Sequence, residues 1–209
     1  MSTPIGKTES NKDLPFTKWL TELPNLLTRV DRRGRVLFLA ACCERQFGNY
    51  VRFHQETGWG NPQTLCNGLQ ALWNYSGPCN NEMIGMLRSS IEAVTPDTED
   101  FESPYTSAAL DASISILESF DYCLDDDLDH CVKVACSCRD TVYMYAQQRG
   151  RYGYSDADEV KIYADPLVER ELQAQQSDLA RISSLLDRPD SPNAVEKHHC
   201  DPDIGSLRG

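Results

Sequence analysis

The stretch from Arg35 to His54, RVLFLAACCERQFGNYVRFH, constrains the fold of this chain more than any other. It opens with an almost wholly apolar run, Val36 to Cys43, and sets Glu44 and Arg45 directly against it. Phe47, Asn49, Tyr50 and Phe53 follow. A helix that is apolar all round is a buried helix. An acid and a base in the middle of such a helix must both find partners, because an unpaired buried charge costs several kcal/mol. The functional question therefore begins with what Glu44 and Arg45 touch.

The rest of the chain reads as helices separated by short breaks. Leu14 to Val30 carries Phe16, Trp19, Leu20, Leu23, Leu26 and Leu27 at helical spacing, with Pro24 placed to kink or split it. Asp31-Arg32-Arg33-Gly34 interrupts the pattern before the central helix, and Gly58 is a stop signal after it. Asn61-Pro62 and Asp165-Pro166 both pair a capping side chain with proline at the first helical position. Between them the pattern predicts a helix to Tyr75, a short one from Asn80 or Asn81 to before Pro96, and one from Thr106 to Cys123. Two more follow, the first opened by Asp125-Asp126-Asp127 and running to about Gln148, the second opened at Ser155. The last runs from Pro166 to about Leu186. No stretch alternates with a period of two. The fold expected is all-α: a single-domain bundle of seven or eight helices around a central buried helix. Residues 14–187 form the helical domain, with a loose N-terminus at 1–13 and a tail at 188–209.

Composition narrows the setting. A chain of 209 residues buries roughly two thirds of its unfolded surface as one domain. The longest apolar run is far short of the ~20 residues that span a bilayer. No apolar core precedes Leu14, so no secretory signal is expected, and the setting expected is the cytoplasm. Nine cysteines in that setting read as free thiols. A net charge of −12 speaks against nucleic-acid binding, and it favours a basic partner or simple solubility.

Two groups of residues are candidate sites. The first is Glu44, Arg45, Asn49 and Tyr50, with Asp111 interrupting a second apolar run, Ala108 to Ala112. Arg45 and Asn49 share a helix face. Asp111 is the natural partner for Arg45, and such a bridge would give good fork geometry. The group reads either as a pocket in which a carboxyl does acid–base work beside an anion-binding arginine, or as a buried ion pair that fixes register. The second group is Tyr143, Tyr145, Tyr152, Tyr154 and Tyr163 interleaved with Arg149 and Arg151. Tyrosine and arginine are enriched at protein interfaces, although ordinary edge packing gives the same pattern.

Metal and cofactor chemistry are not expected. Cys131, Cys136 and Cys138, near His130 and Cys123, are spaced C-x4-C-x-C within one predicted helix, where only the first and last share a face. Small buried side chains between helices explain them, and Cys42-Cys43, better. His198-His199-Cys200 falls in the tail. Asp125-Asp126-Asp127 with Asp129 lacks the glycine and distal glutamate of a calcium loop, and it suits a helix start. No phosphate-binding loop, dinucleotide fingerprint, nucleophile elbow or zincin motif occurs.

The run FLAACCERQFGNYVRF resembles the YjaG-like family of bacterial proteins, a domain-of-unknown-function family, through F-x-A-x-x-x-E-R-x-x-x-N-Y-x-x-F. The resemblance continues through Trp73, then Pro96, Asp100 and Phe101, then Ala109, Asp111 and Ala112. Thr141-Val142 and finally Pro166, Val168, Glu169, Glu171 and Gln175 complete it, so that it spans about residues 32–186. Gly48 departs from it, where proline is expected. The resemblance implies an all-helical fold and brings no catalytic residues.

Together these readings favour a non-enzymatic, cytoplasmic protein-binding module with no nucleic-acid or membrane partner. One concrete form is an immunity-type protein that masks a basic toxin. The competing expectation is an enzyme whose inter-helix pocket is built on Glu44, Arg45, Tyr50 and Asp111. A third is a homodimer paired through the Ala-rich face of residues 106–120.

Overall fold

The computed structural model describes residues 14–77 and 81–186. Among them it contains eight helices and no strand. These are α1 (Pro15–Leu27), α2 (Arg32–Thr57), α3 (Pro62–Trp73), α4 (Asn81–Glu92), α5 (Thr106–Asp125), α6 (Leu128–Gly150), α7 (Asp156–Tyr163) and α8 (Pro166–Leu186). The N-terminus and tail expected at 1–13 and 188–209 lie outside the described residues.

Local chemistry sets most of the boundaries. Asp31 Oδ1 accepts the Gly34 N–H at 2.7 Å, so the interrupting Asp-Arg-Arg-Gly is the first turn of α2 and not a gap before it. Gly58 closes α2 in the left-handed region, φ 68°, with its N–H on the His54 carbonyl. There the missing Cβ removes the steric penalty. Asn61, Ser155 and Asp165 cap the helices they precede. The aspartate run behaves differently from expectation. Asp125 ends α5, Asp126 is its left-handed C-cap at φ 62°, and Asp127 caps α6 through the Asp129 N–H. Pro24 does not break α1, which continues to Leu27 with Phe16, Trp19, Leu23 and Leu27 all buried. Only three residues of α1 follow Pro24, so the helix gives up one backbone hydrogen bond near its end while its buried face stays continuous.

α2 is the axis. At about 1.5 Å per residue its 26 residues extend about 39 Å. α3, α5, α6 and α8 pack around it. Val36, Phe38, Leu39, Ala40, Cys42, Cys43, Tyr50 and Phe53 have essentially no exposure, so the helix is buried on all sides along its middle. α5 meets it through Ser115, which bonds Gln46, and Ser119, which contacts Cys43 Sγ, and Ala109, Ala112, Ser113 and Ile116 are buried. Small side chains let two helices approach closely. Of the Ala-rich face of 106–120, Ala109 and Ala112 belong to the bundle's own core. At the C-terminal end of α2, Phe53, Trp59 and Phe101 form an edge-to-face aromatic cluster that pins the acidic 95–104 loop.

Candidate functional site

The fork of Arg45 closes on α8. Nε donates to Glu171 Oε2 at 2.9 Å and Nη2 to Glu171 Oε1 at 3.0 Å, a bidentate pair. Nη1 donates to Asp178 Oδ2 at 2.5 Å, and Nη2 also reaches Cys42 Sγ at 3.4 Å. Burial works against the arginine's charge, but Glu171 outweighs it and holds the guanidinium protonated. Glu171 is 5% exposed and Gln175 is fully buried. Gln175 extends the network: its Nε2 donates to Glu171 Oε1 and to the Ala135 carbonyl, and its Oε1 accepts the Trp19 indole N–H at 2.8 Å. Glu171, Gln175 and Asp178 recur on one face of α8 because they lie four and seven residues apart. One polar chain thus ties α1, α2, α6 and α8.

The expected Arg45–Asp111 bridge does not form. Asp111 accepts a hydrogen bond from Thr141 Oγ1 at 2.8 Å and so belongs to the α5–α6 seam. Burial raises its pKa and the Thr141 hydroxyl partly offsets that. Tyr50 serves another seam. Its hydroxyl donates to the Val94 carbonyl at 2.5 Å and accepts the Asn61 N–H at 3.3 Å. It fastens α2 to the start of α3 and to the end of α4. Gly60, at φ 80°, leaves room for that ring, because a Cβ there would collide with the phenol oxygen. Asn49 is fully buried on α2. Arg45, Tyr50 and Asp111 therefore serve three different seams.

Glu44 is the exception to good pairing. Burial pushes its carboxyl up to about 7, and Asp178 adds to the rise. The Trp73 indole and Arg45 pull it down. The indole faces the carboxylate without hydrogen-bond geometry, so Glu44 Oε1 and Trp73 Nε1 are each buried without a hydrogen-bond partner. Two acids, Glu171 and Asp178, already surround Arg45, so a third negative charge beside them has little counterion to meet.

A second buried network, which no sequence pattern announces, runs between α2, α5 and α6. Gln46 Nε2 donates to Ser115 Oγ at 2.9 Å and to Cys138 Sγ at 3.0 Å, and the Ser137 hydroxyl closes the group by donating to Gln46 Oε1. Cys42, Cys43, Cys66, Cys123, Cys131 and Cys138 are buried free thiols. Burial pushes Cys131 up to about 12 and raises Cys43 and Cys138 further, so none of these three is poised as a thiolate at neutral pH. Among the described residues, no three His, Cys, Asp or Glu side chains are placed to hold a metal ion. His198, His199 and Cys200 lie outside them.

The aromatic–basic group gathers at the α6–α7 corner. The rings of Tyr143 and Tyr163 meet edge to face at 5.4 Å. Arg149 lies over Tyr145 and pairs with Asp165, and Lys161 lies over Tyr152. Tyr143, Tyr145 and Tyr152 are half-buried, whereas Arg149 and Arg151 are exposed. Tyr154 is 99% exposed. Arg151 is the left-handed cap of α6, φ 51°, an unusual place for a side chain other than glycine or asparagine. Among the described residues, no helix is long and apolar enough to cross a membrane.

Fold and networks together define an all-helical single domain whose central arginine is engaged inside the bundle. Residues 23–193 match the family model described as "Protein of unknown function (DUF416)", and the chain belongs to that family. The uncharacterized protein YjaG of Escherichia coli K12 is 28% identical over 151 residues, covering 71% of this chain and 76% of that protein. YjaG of Salmonella typhimurium is 25% identical over 152 residues, with the same coverage. A crystal structure of a DUF416 family protein from Shewanella baltica OS155 superposes with a TM-score of 0.70 at 24% identity. The match covers 80% of this chain and 86% of that one, and bears on the fold alone.

Proposed function

We propose that this protein is a non-enzymatic, cytoplasmic protein-binding module that engages its partner through the α6–α7 corner. The observation that carries the reading is Tyr154, 99% exposed, in a corner that also exposes Met144 (44%) and Val160 (43%). A large aromatic left in water adds nothing to the stability of the monomer. Tyrosine and arginine are the residues that most often anchor protein interfaces. Arg151 stands three residues from Tyr154, held by its cap geometry. The net charge of −12 suits a basic partner and would speed its capture. An immunity-type protein masking a basic toxin such as a nuclease is the concrete form. Against an enzyme built on Glu44, Arg45, Tyr50 and Asp111 stands the dispersal of the last three over three seams, with Arg45 already held by two carboxylates.

The test is affinity capture from host cells with the intact protein and with Tyr154→Ala and Arg151→Ala variants. A basic protein should be recovered by the parent and lost at least about tenfold in each variant, the scale of a hot-spot truncation. Recovery of no basic protein, or equal recovery by all three, refutes the reading.

A further inference from the structure

A second surface has a chemistry of its own. α5 buries Ala109, Ala112, Ser113 and Ile116 in the bundle, and another side of it carries Leu110, Ile114, Leu117, Glu118 and Asp121. That stripe, with Arg88 and Glu92 of α4 and the loop Thr95–Thr98, bounds an open groove of about 520 Å³. The volume falls in the ~300–1,000 Å³ range of ligand and peptide sites. The floor is apolar: Pro96 and Leu117 are buried, and Ile114 is 39% exposed. Leu110, Ile114 and Leu117 are spaced as a helical face, the spacing that interdigitates with anchors on a docked helix.

The rim is acidic. Glu92, Asp97, Glu118 and Asp121 line it. Arg88 is the one cation among the described lining residues, and it is engaged by Asp121 at 2.9 Å and by Glu92. From α6, His130 and Lys133 reach Glu118 from outside the groove. Asp97 accepts the Glu99 backbone N–H, and Glu99, Asp100 and Glu102 stand exposed just beyond it. Glu92, Asp121 and Glu118 already meet cations, whereas Asp97 is in no ion pair among the described residues, so a neutral apolar segment laid on this floor would strip water from Asp97 and return no charge to it, which is costly. A segment with lysines or arginines flanking its apolar side chains satisfies both parts.

We propose that the α4–α5 groove seats a basic amphipathic helix of a partner protein, its apolar face on Ile114 and its cations on Asp97 and the exposed Glu99, Asp100 and Glu102 beside it. This rests on the protein-binding reading, but it concerns a different face from Tyr154. The probe is a fluorescein-labelled Leu/Lys peptide of amphipathic helical pattern, set against a scrambled peptide of the same composition, with the intact protein. Saturable binding is expected for the patterned peptide, weakening as salt is added. Ile114→Lys and Asp97→Lys, both on the surface, should each weaken it about tenfold, and Tyr154→Ala should leave it within about twofold. Backbone amide shifts should gather on residues 88–98 and 110–121.

Absence of saturable binding, equal binding of the scrambled peptide, or unchanged binding by Ile114→Lys overturns the proposal. If Tyr154-dependent capture persists while the groove takes no peptide, the groove proposal falls and the α6–α7 reading stands. If the groove binds its peptide but Tyr154→Ala captures as the parent does, the groove proposal survives and the α6–α7 reading falls.

Discussion

Replacing Glu44 by glutamine should stabilise this protein, and only at the alkaline end of the pH range. An ordinary glutamate titrates near 4.5, and burial beside Asp178 moves Glu44 up to about 7. The folded state therefore binds this proton more tightly than the unfolded chain. Between those two values the native state holds more protons, so stability falls as pH rises. Below about 4.5 both states are protonated and the residue has no charge effect; above about 7 the full cost is present. At about 1.4 kcal/mol per pH unit the ceiling is about 3 kcal/mol, and solvent screening of a half-buried carboxylate brings it to about 1–2 kcal/mol. Glutamine keeps the shape and removes the charge. The melting temperature of Glu44→Gln should match the parent at about pH 4 and exceed it at pH 8 by about 2–8 °C, given ~2–4 °C per kcal/mol for a domain of this size. Calorimetry across about pH 4 to 8 measures this. A variant that melts below the parent at pH 8, or that differs equally at every pH, would refute the argument from buried charge.

Two more outcomes follow from the ion pairs. Glu171→Ala should cost about 3–5 kcal/mol in urea unfolding, because it leaves Arg45 buried with a single carboxylate. Adding Arg45→Met to it should recover part of that loss, and strict additivity of the two losses would contradict the pairing. His130 touches Glu118 through Nδ1 at 2.5 Å and Asp125 through Nε2 at 3.1 Å, an arrangement that needs both ring protons. Burial opposes its charge, but the two carboxylates prevail and raise its pKa above 6.5. Its contribution is thus complete below pH 6.5 and disappears as pH climbs through the folded value. The stability lost in His130→Asn should be greatest near pH 6 and vanish at high pH; a loss that grows with pH would contradict the assignment.

The sequence was most informative where the controlling chemistry is local. Asn61-Pro62, Ser155, Asp165-Pro166 and Gly58 each mark a boundary within a few residues of the atoms that enforce it. The burial of α2 follows from its apolar run. The partner of Arg45 was not legible, because Asp111 and Glu171 both interrupt helical patterns and the choice depends on which helices lie side by side. α8 reads as an ordinary amphipathic helix, with Glu171, Gln175 and Asp178 on what looks like its polar side. Only the family resemblance drew attention to Glu171 and Gln175, and nothing marked Asp178. Gln46 was missed because a lone glutamine beside Phe47 carries no pattern. Of the tyrosine–arginine group, the sequence placed the residues near one another, but it could not tell the half-buried Tyr143 and Tyr152 from the bare Tyr154.

The Arg45–Glu171 contact joins residues 126 positions apart. During synthesis the central helix leaves the ribosome long before the carboxylates that neutralise it. Until α8 follows, the axis of the bundle carries a cation with no counterion and an apolar surface with one side open. Contacts of such separation close slowly, since the intervening chain must first give up its freedom. Completion of the core is thereby assigned to α8, the last helix among the described residues, and the early helices wait in a state that a chaperone would recognise by its exposed apolar surface.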